Sequence, residues 1–258
     1  MAKRSATGLE VSLGALALAQ AIVVAVVSAG APELRRPVVA RLPGAGDADG
    51  GADGALAVAT IDVPAASVVL LGLVAIVRLA AAVPALRRWR ASAADHGTHG
   101  YRWGEAAFVW PILVFLVAQL NGISDIGALV AIYALSSAVA LFACLQDRAL
   151  RASLWPFSFG TMVGIVPWGI IAFHQIGAGL VGQEPSLGLR VVTLAMLAAV
   201  LVTWTLQWRE AKRAAVGARP GADSAFAVTS FAAVSLFAWL TVLAPLSGRL
   251  AGAELAGV

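Results

Sequence analysis

The side chains best suited to chemistry in this chain are the polar residues that interrupt its long apolar segments, because a polar group is costly there. They are Gln20, Arg78, Glu105, Gln119, His174, Gln175, Ser230 and Ser235. No pair of them has the spacing of a metal site, and no glycine-rich phosphate loop occurs. No nucleophile, base and orienting group come together in these segments. The sequence therefore predicts no catalytic residue, no metal ligand and no enzyme.

Arg78 and Glu105 are the two charged residues of this set. Arg78 precedes the basic run that starts at Arg87 by roughly 13 Å of helix, which predicts that it lies within the hydrocarbon. Glu105 comes early in the next apolar segment, which runs back across the membrane. Since a charge pair costs far less than two isolated charges, we hypothesise an ion pair between them. The alternative carries equal weight: Arg78 reaches the interface alone and Glu105 lies at the interface.

Aromatic residues within the apolar segments form a second candidate feature, and they are Trp110, Trp168, Trp204 and Trp239. Such residues usually pack or anchor a helix, but side chains from four helices could also form the wall of a ligand pocket. His174 and Gln175 come near the end of a segment, which favours an interfacial pair over a proton relay. The single cysteine, Cys144, is predicted to be a packing residue.

The elements that position these residues are membrane-spanning helices. Hydrophobic residues make up 60% of the chain and charged residues 12%, with a mean hydropathy of +0.87. The apolar runs are continuous rather than alternating, which favours helices over a barrel. Seven of them are long enough to span a bilayer, at about 9–30, 63–86, 102–121, 125–146, 155–178, 187–208 and 224–246. We expect a single all-α domain, residues 1–258, with a seven-helix bundle.

The basic residues predict the orientation of this bundle in the cell membrane. With the N-terminus in the cytoplasm, the residues on the cytoplasmic side are Lys3, Arg4, Arg87, Arg88, Arg90, Arg102, Arg148, Arg151, Arg209, Lys212, Arg213 and Arg219. The residues outside are Arg35, Arg36, Arg41, Arg190 and Arg249. The excess inside supports this orientation, with an extracellular C-terminus. It also explains the pI of about 10.0 without a nucleic-acid partner.

The long connection at 31–61 contains the low-complexity stretch GAGDADGGADG between two β-branched runs. This pattern predicts a small extracellular β-hairpin with a flexible tip, and a disordered acidic loop is nearly as well supported. Asp62 and Pro64 are typical of a helix cap and first turn, and predict the start of the second span.

Several motifs in order resemble those of the heliorhodopsins, the inverted-topology relatives of microbial rhodopsins. "YRWGE" and "NGISDIG" in the third and fourth spans are similar to the family's Arg-Trp-x-Glu start and Gly-Ile-x-Asp-Ile turn. "FSFGTMVGIVPWGII" in the fifth span resembles its Phe-Gly-x-x-x-Gly-x-x-Pro-Trp pattern. "AAAVPALRRW" and "SFAAVSLFAW" match as well. The predicted cytoplasmic N-terminus agrees with the family's orientation.

The resemblance implies retinal bound as a Schiff base to a seventh-helix lysine directly before a serine, with Glu105 as counterion. Here Val234 precedes Ser235, and the only lysines are Lys3 and Lys212, both outside the spans. Arginine cannot replace the lysine, because its guanidinium stays protonated. A covalent retinal pigment is therefore excluded. The family's second-helix histidine aligns with Arg78, which would replace the lost Schiff-base charge.

These features favour a non-pumping sensor, binding or signalling module. The former retinal channel, faced by Val234, Glu105, Trp168 and Trp239, would hold a lipid, a carotenoid or retinal noncovalently, or would be collapsed. Arg78 and Ser235 are further candidates for its lining. One alternative is a structural subunit that pairs with other membrane proteins, since faces rich in Ala and Gly permit close packing, including a homodimer. A cytoplasmic protein partner is a further option. A transporter or channel is less favoured, because polar groups are few and no inverted repeat with broken helices is visible.

Overall fold

The computed structural model describes residues 2–29, 34–41, 55–95, 98–148, 153–216 and 223–255. Its helices are α1 (Ala2–Ala29), α2 (Val63–Ala80), α3 (Pro84–Asp95), α4 (Gly100–Leu120), α5 (Ile126–Asp147), α6 (Trp155–Leu180), α7 (Leu187–Ala215) and α8 (Asp223–Leu255). All except α3 contain a segment long and apolar enough to cross a membrane, seven within the described part of the chain. The prediction of a seven-span helical bundle is confirmed.

Local capping defines several of the helix starts. The Asp62 carboxylate accepts a hydrogen bond from the backbone N–H of Ala65, and Pro64 lies in the first turn of α2, as the sequence predicts. Asp125 caps α5 and Ser186 caps α7 in the same way. Gly122, at φ 87°, lies in the turn that follows α4, a backbone conformation that favours glycine.

The second span is shorter than predicted, which corrects the 63–86 boundary. α2 ends at Ala80, residues 81–83 form a turn, and Pro84 begins the separate helix α3. Proline suits the first position of a helix but not its interior, so the apolar run through Val83 is divided there. Arg78 consequently lies in the last turn of α2, nearer the helix end than a continuous span would place it.

A two-stranded antiparallel sheet fills part of the long connection between α1 and α2. Its strands are β1 (Arg35–Arg41) and β2 (Ala55–Asp62), with a bulge between Val38 and Val39. Val39 donates from its backbone N–H to the carbonyl of Ser124 at 2.9 Å, so the sheet is attached to the α4–α5 turn. The predicted hairpin is confirmed. Its predicted flexible tip, residues 42–54, lies outside the described residues, as do Arg151 and Arg219 and the side chains of Lys3, Arg4 and Arg249.

The core lies where α4 and α8 meet the other helices. α1 packs on α2, α4 on α5 and α5 on α6, as expected for antiparallel neighbours, while α8 contacts α1, α2, α4 and α7. Leu113, Val117, Val234 and Phe237 are among its buried side chains. This arrangement brings one end of α1, α2, α4 and α8 together with α3, where the charged residues lie.

Candidate functional site

A network of ion pairs and one hydrogen bond joins five helices at the end of the bundle where α2 finishes and α4 begins. The Arg78 guanidinium lies 2.6 Å from Glu105 and 3.2 Å from Glu10, measured between nitrogen and carboxylate oxygen. Arg90 of α3 binds the other Glu10 oxygen at 2.9 Å. The ion pair hypothesised from the sequence between Arg78 and Glu105 is therefore present, and both side chains are buried.

Ser230 of α8 completes the network. Its hydroxyl donates to the same Glu105 oxygen that Arg78 contacts, at 3.0 Å. The carboxylate thus has a guanidinium and a hydroxyl as donors within a buried site, which offsets much of the cost of taking its charge out of water. We define the Arg78 network as Glu10, Arg78, Arg90, Glu105 and Ser230.

Sequence reasoning missed Glu10 and Arg90. In the sequence Glu10 is an ordinary charged residue at a span end, because the segment that follows is apolar on all sides and shows no polar face. In the structure Leu13, Ala17, Ala21 and Val24 form the buried stripe of α1, and Glu10 continues it at helical spacing. That spacing is the signal that could have identified Glu10. Arg90 lies in a basic run with Arg87 and Arg88, where a single arginine is not conspicuous.

Val234 lies on α8 one helical turn beyond Ser230 and is fully buried. It has no amine. The only lysine whose side chain is described, Lys212, is exposed near the end of α7 with its ammonium 5.1 Å from the centre of the Trp208 ring. Ser235 has a buried hydroxyl without a hydrogen-bond partner among the described residues. These residues do not fit a covalently held retinal.

A small cavity between α4, α5, α6 and α7 is walled by tryptophans. Its volume is about 50 Å³. The lining residues include Trp103, Trp110, Trp168 and Trp204, together with Ser136 and Gln207. We call this space the Trp cavity. Trp110, Trp168 and Trp204 come together as the ligand-pocket interpretation expects, whereas Trp239, Val234, Ser235 and Glu105 are not among the residues that line it.

Gly164 of α6 lies close to two other residues that line the Trp cavity, Val139 and Trp204. A Cβ at this position would lie 2.6 Å from Val139 Cγ2 and 2.7 Å from Trp204 Cζ2. The absence of a side chain lets the Trp204 ring approach the α6 backbone. A second space of about 30 Å³ is lined by Arg78, Glu105 and Ser230, and it shares Trp103 and Trp110 with the first. The Arg78 network and the Trp cavity are therefore neighbours.

A second polar cluster, also missed from the sequence, surrounds Arg102 at the start of α4. Its guanidinium lies 3.0 Å from Asp223 and 3.9 Å from Asp147, with the rings of Trp103 and Phe226 at 4.4 and 4.2 Å. The Trp103 indole donates to Asp147 at 2.6 Å. This cluster fixes the ends of α4, α5 and α8 relative to one another.

Polar residues also meet at the opposite end of the bundle. The Gln175 amide donates to Asn121 at 2.7 Å and to Thr193 at 3.2 Å, which links α6 and α7 to the turn after α4. The neighbouring His174 is exposed. Gln119 is buried, and neither end of its amide has a hydrogen-bond partner among the described residues.

Comparisons with known proteins point to one family. A family model described as Heliorhodopsin matches residues 7–246. The matched range includes Glu10, Arg78, Glu105, Ser230 and Val234. The comparison with curated proteins found no match.

Proposed function

Because the chain belongs to the heliorhodopsin family, we propose that it is a retinal-free member that works as a non-pumping, membrane-embedded signalling or binding module. Val234 stands where the family's retinal lysine is expected. An aldehyde needs a primary amine to form an imine, and neither of the two lysines, Lys3 and Lys212, falls within the predicted spans. A signalling member of this kind would respond to a stimulus other than light absorbed by a Schiff base.

The observation that carries the proposal is the 2.6 Å contact between Arg78 and Glu105. A Schiff base is a cation that can lose its proton, whereas a guanidinium keeps its charge at any physiological pH. The family's counterion position thus has a permanent partner, which stabilises one arrangement of α2, α4 and α8. A permanent ion pair suits a scaffold that is switched by a partner or a bound molecule, and it does not suit a proton pump.

The Trp cavity limits what the protein would bind within the bundle. Pockets for drug-sized ligands usually have volumes of about 300–1,000 Å³, against about 50 Å³ here. This space would hold a few water molecules. A carotenoid, a lipid tail or noncovalent retinal would require Trp204 and its neighbours to move apart.

The small cavity also favours a second candidate function, a structural subunit that pairs with another membrane protein. A subunit of this kind needs a rigid bundle and no internal ligand. The two functions differ in whether a small molecule co-purifies with the protein. A pigment or lipid retained in native extracts would favour the binding module, and its absence would favour the structural subunit.

The test is to add all-trans retinal to the purified protein and to record the absorption spectrum and the intact mass. We expect no visible absorption band and no mass increase after borohydride reduction. A pigment-bearing member of the family, treated identically, is the positive control. A reduced adduct on this chain would overturn the proposal. Reconstituted liposomes should show no light-dependent proton flux.

A further inference from the structure

We propose that a groove beside α3 binds the headgroup of an anionic phospholipid through Arg87 and Arg88. The groove has a volume of about 960 Å³ and lies between the first turns of α1, the helix α3 and the start of α8. Its lining includes Gly8, Glu10, Arg87, Arg88, Arg90 and Asp223. We call it the α3 groove. This site is independent of the proposed signalling role.

The charges of the α3 groove leave two arginines available. Glu10 is paired with Arg78 and Arg90, and Asp223 is paired with Arg102. Arg87 and Arg88 are exposed and form no ion pair or side-chain hydrogen bond within the described part of the chain. Every carboxylate known to line the groove is thus neutralised, and the two remaining guanidinium groups favour an anion. Guanidinium groups bind phosphate through several donors at once.

The position of α3 places these arginines at a membrane surface. Only a three-residue turn, 81–83, separates α3 from the end of the α2 span. Trp89 is 52% exposed and Val83 is 51% exposed. Tryptophan beside arginine at a span end is typical of the headgroup region, where the ring enters the interface and the cation stays among the phosphates.

The exposed apolar residues favour a phospholipid over a soluble anion. Val11 on α1, which is 40% exposed, lines the groove together with Leu9, Ala91 and Ala94 and offers apolar surface beside the two arginines. Trp89 and Val83 are not among the residues that line the groove. An acyl chain could cover that surface while its phosphate contacts Arg87 and Arg88. A free phosphate would leave the apolar surface unused. Basic residues close to a bilayer each contribute roughly 1 kcal/mol toward anionic lipid.

The experiment is native mass spectrometry of the full chain released from nanodiscs of phosphatidylcholine with phosphatidylglycerol. We expect wild-type protein to retain phosphatidylglycerol in preference to phosphatidylcholine. The double variant Arg87→Gln/Arg88→Gln should retain it roughly thirtyfold less, which corresponds to roughly 1 kcal/mol for each arginine. Arg87→Lys/Arg88→Lys should recover part of the loss. The midpoint of thermal unfolding, measured in parallel, shows whether the double variant is folded.

The matched control is Arg209→Gln/Arg213→Gln, which removes two exposed arginines near the C-terminal end of α7. Neither arginine lines the groove. This variant should retain phosphatidylglycerol like wild type. An equal loss in both double variants would show general charge attraction and overturn the site. So would wild-type protein without preference for phosphatidylglycerol, or full competition by soluble glycerol phosphate.

Discussion

Arg78 holds two carboxylates, Glu105 and Glu10, in a buried site. Removing one member of a buried ion pair is far more costly than removing both, because an unpaired charge remains. The residues of this network should therefore show strong energetic coupling. Whether they do can be measured without knowing the natural stimulus.

Replacing Arg78 with Met should lower the free energy of unfolding by about 3 kcal/mol or more, since two carboxylates lose their shared cation. In the Glu105→Gln background the same substitution should cost less, with a coupling energy of roughly 1–3 kcal/mol. The measurement is the midpoint of thermal unfolding for the four proteins of the cycle in one detergent. An equal cost in both backgrounds would mean that the pair does not stabilise the fold.

Two serines on α8 provide a matched comparison. Ser230→Ala removes the hydroxyl that donates to Glu105 at 3.0 Å and should cost about 1.5–3 kcal/mol. Ser235→Ala removes a buried hydroxyl that has no partner among the described residues and should be neutral or stabilising. Thermal unfolding of both variants checks the difference. Equal effects would contradict the assigned role of Ser230.

The site could be predicted from sequence only where a residue is unusual for its surroundings. An arginine and a glutamate within apolar segments are conspicuous, and their pairing followed from their depth. Glu10 lies at a span end and Arg90 in a basic run, where charged residues are ordinary. Their roles depend on the packing of α1 and α3 against α2, and no local sequence pattern predicts that packing.

At the scale of elements, the packing of α6 against α5 and α7 depends on the absence of a side chain at Gly164. Val139 and the Trp204 ring lie 2.6 and 2.7 Å from the position that a Cβ on Gly164 would take. Interiors are close-packed, so an added methyl group must displace its neighbours. Gly164, Val139 and Trp204 all line the Trp cavity.

Gly164→Ala should lower the free energy of unfolding by about 1–3 kcal/mol. The control is Gly169→Ala on the same helix, where nothing lies within 4 Å of the added Cβ. That substitution should be neutral or stabilise the helix by up to about 1 kcal/mol. The comparison of unfolding midpoints is decisive: if Gly164→Ala is as stable as Gly169→Ala, Trp204 is not held against α6.

Helices and strands were predictable to the extent that hydropathy and turn chemistry define them. Continuous apolar runs predicted the spans, and β-branched runs around a glycine-rich stretch predicted the sheet. The end of α2 was placed too late, because hydropathy continues through Val83 while Pro84 starts α3. The helix α3 is amphipathic and contains no continuous apolar run. A search for apolar membrane spans therefore does not detect it.

At the scale of the whole molecule, α3 and the α6–α7 turn lie at opposite ends of the bundle, since the spans alternate in direction. We predict that α3 faces the cytoplasm, because the exposed arginines concentrate at its end. Glu184, in the α6–α7 turn, has an exposed side chain and should face the outside. The two ends can be distinguished chemically.

The test uses single cysteines in a Cys144→Ala background. A membrane-impermeant maleimide added to intact cells should label Glu184→Cys, and it should label Ala94→Cys only after the cells are opened. Both positions are exposed, so accessibility within the protein is matched. Labelling of Ala94→Cys alone in intact cells would reverse the predicted orientation.

The Arg78 network contains two guanidinium groups and two carboxylates, so its formal charges cancel. The transmembrane voltage does about 2.3 kcal/mol of work on each elementary charge that crosses 100 mV, and none on a group that moves as a neutral unit. A translation that keeps the network intact therefore moves no net charge of the network through the field. A motion that separates Arg78 from its carboxylates would move charge of the network through the field, and the voltage would then act on it.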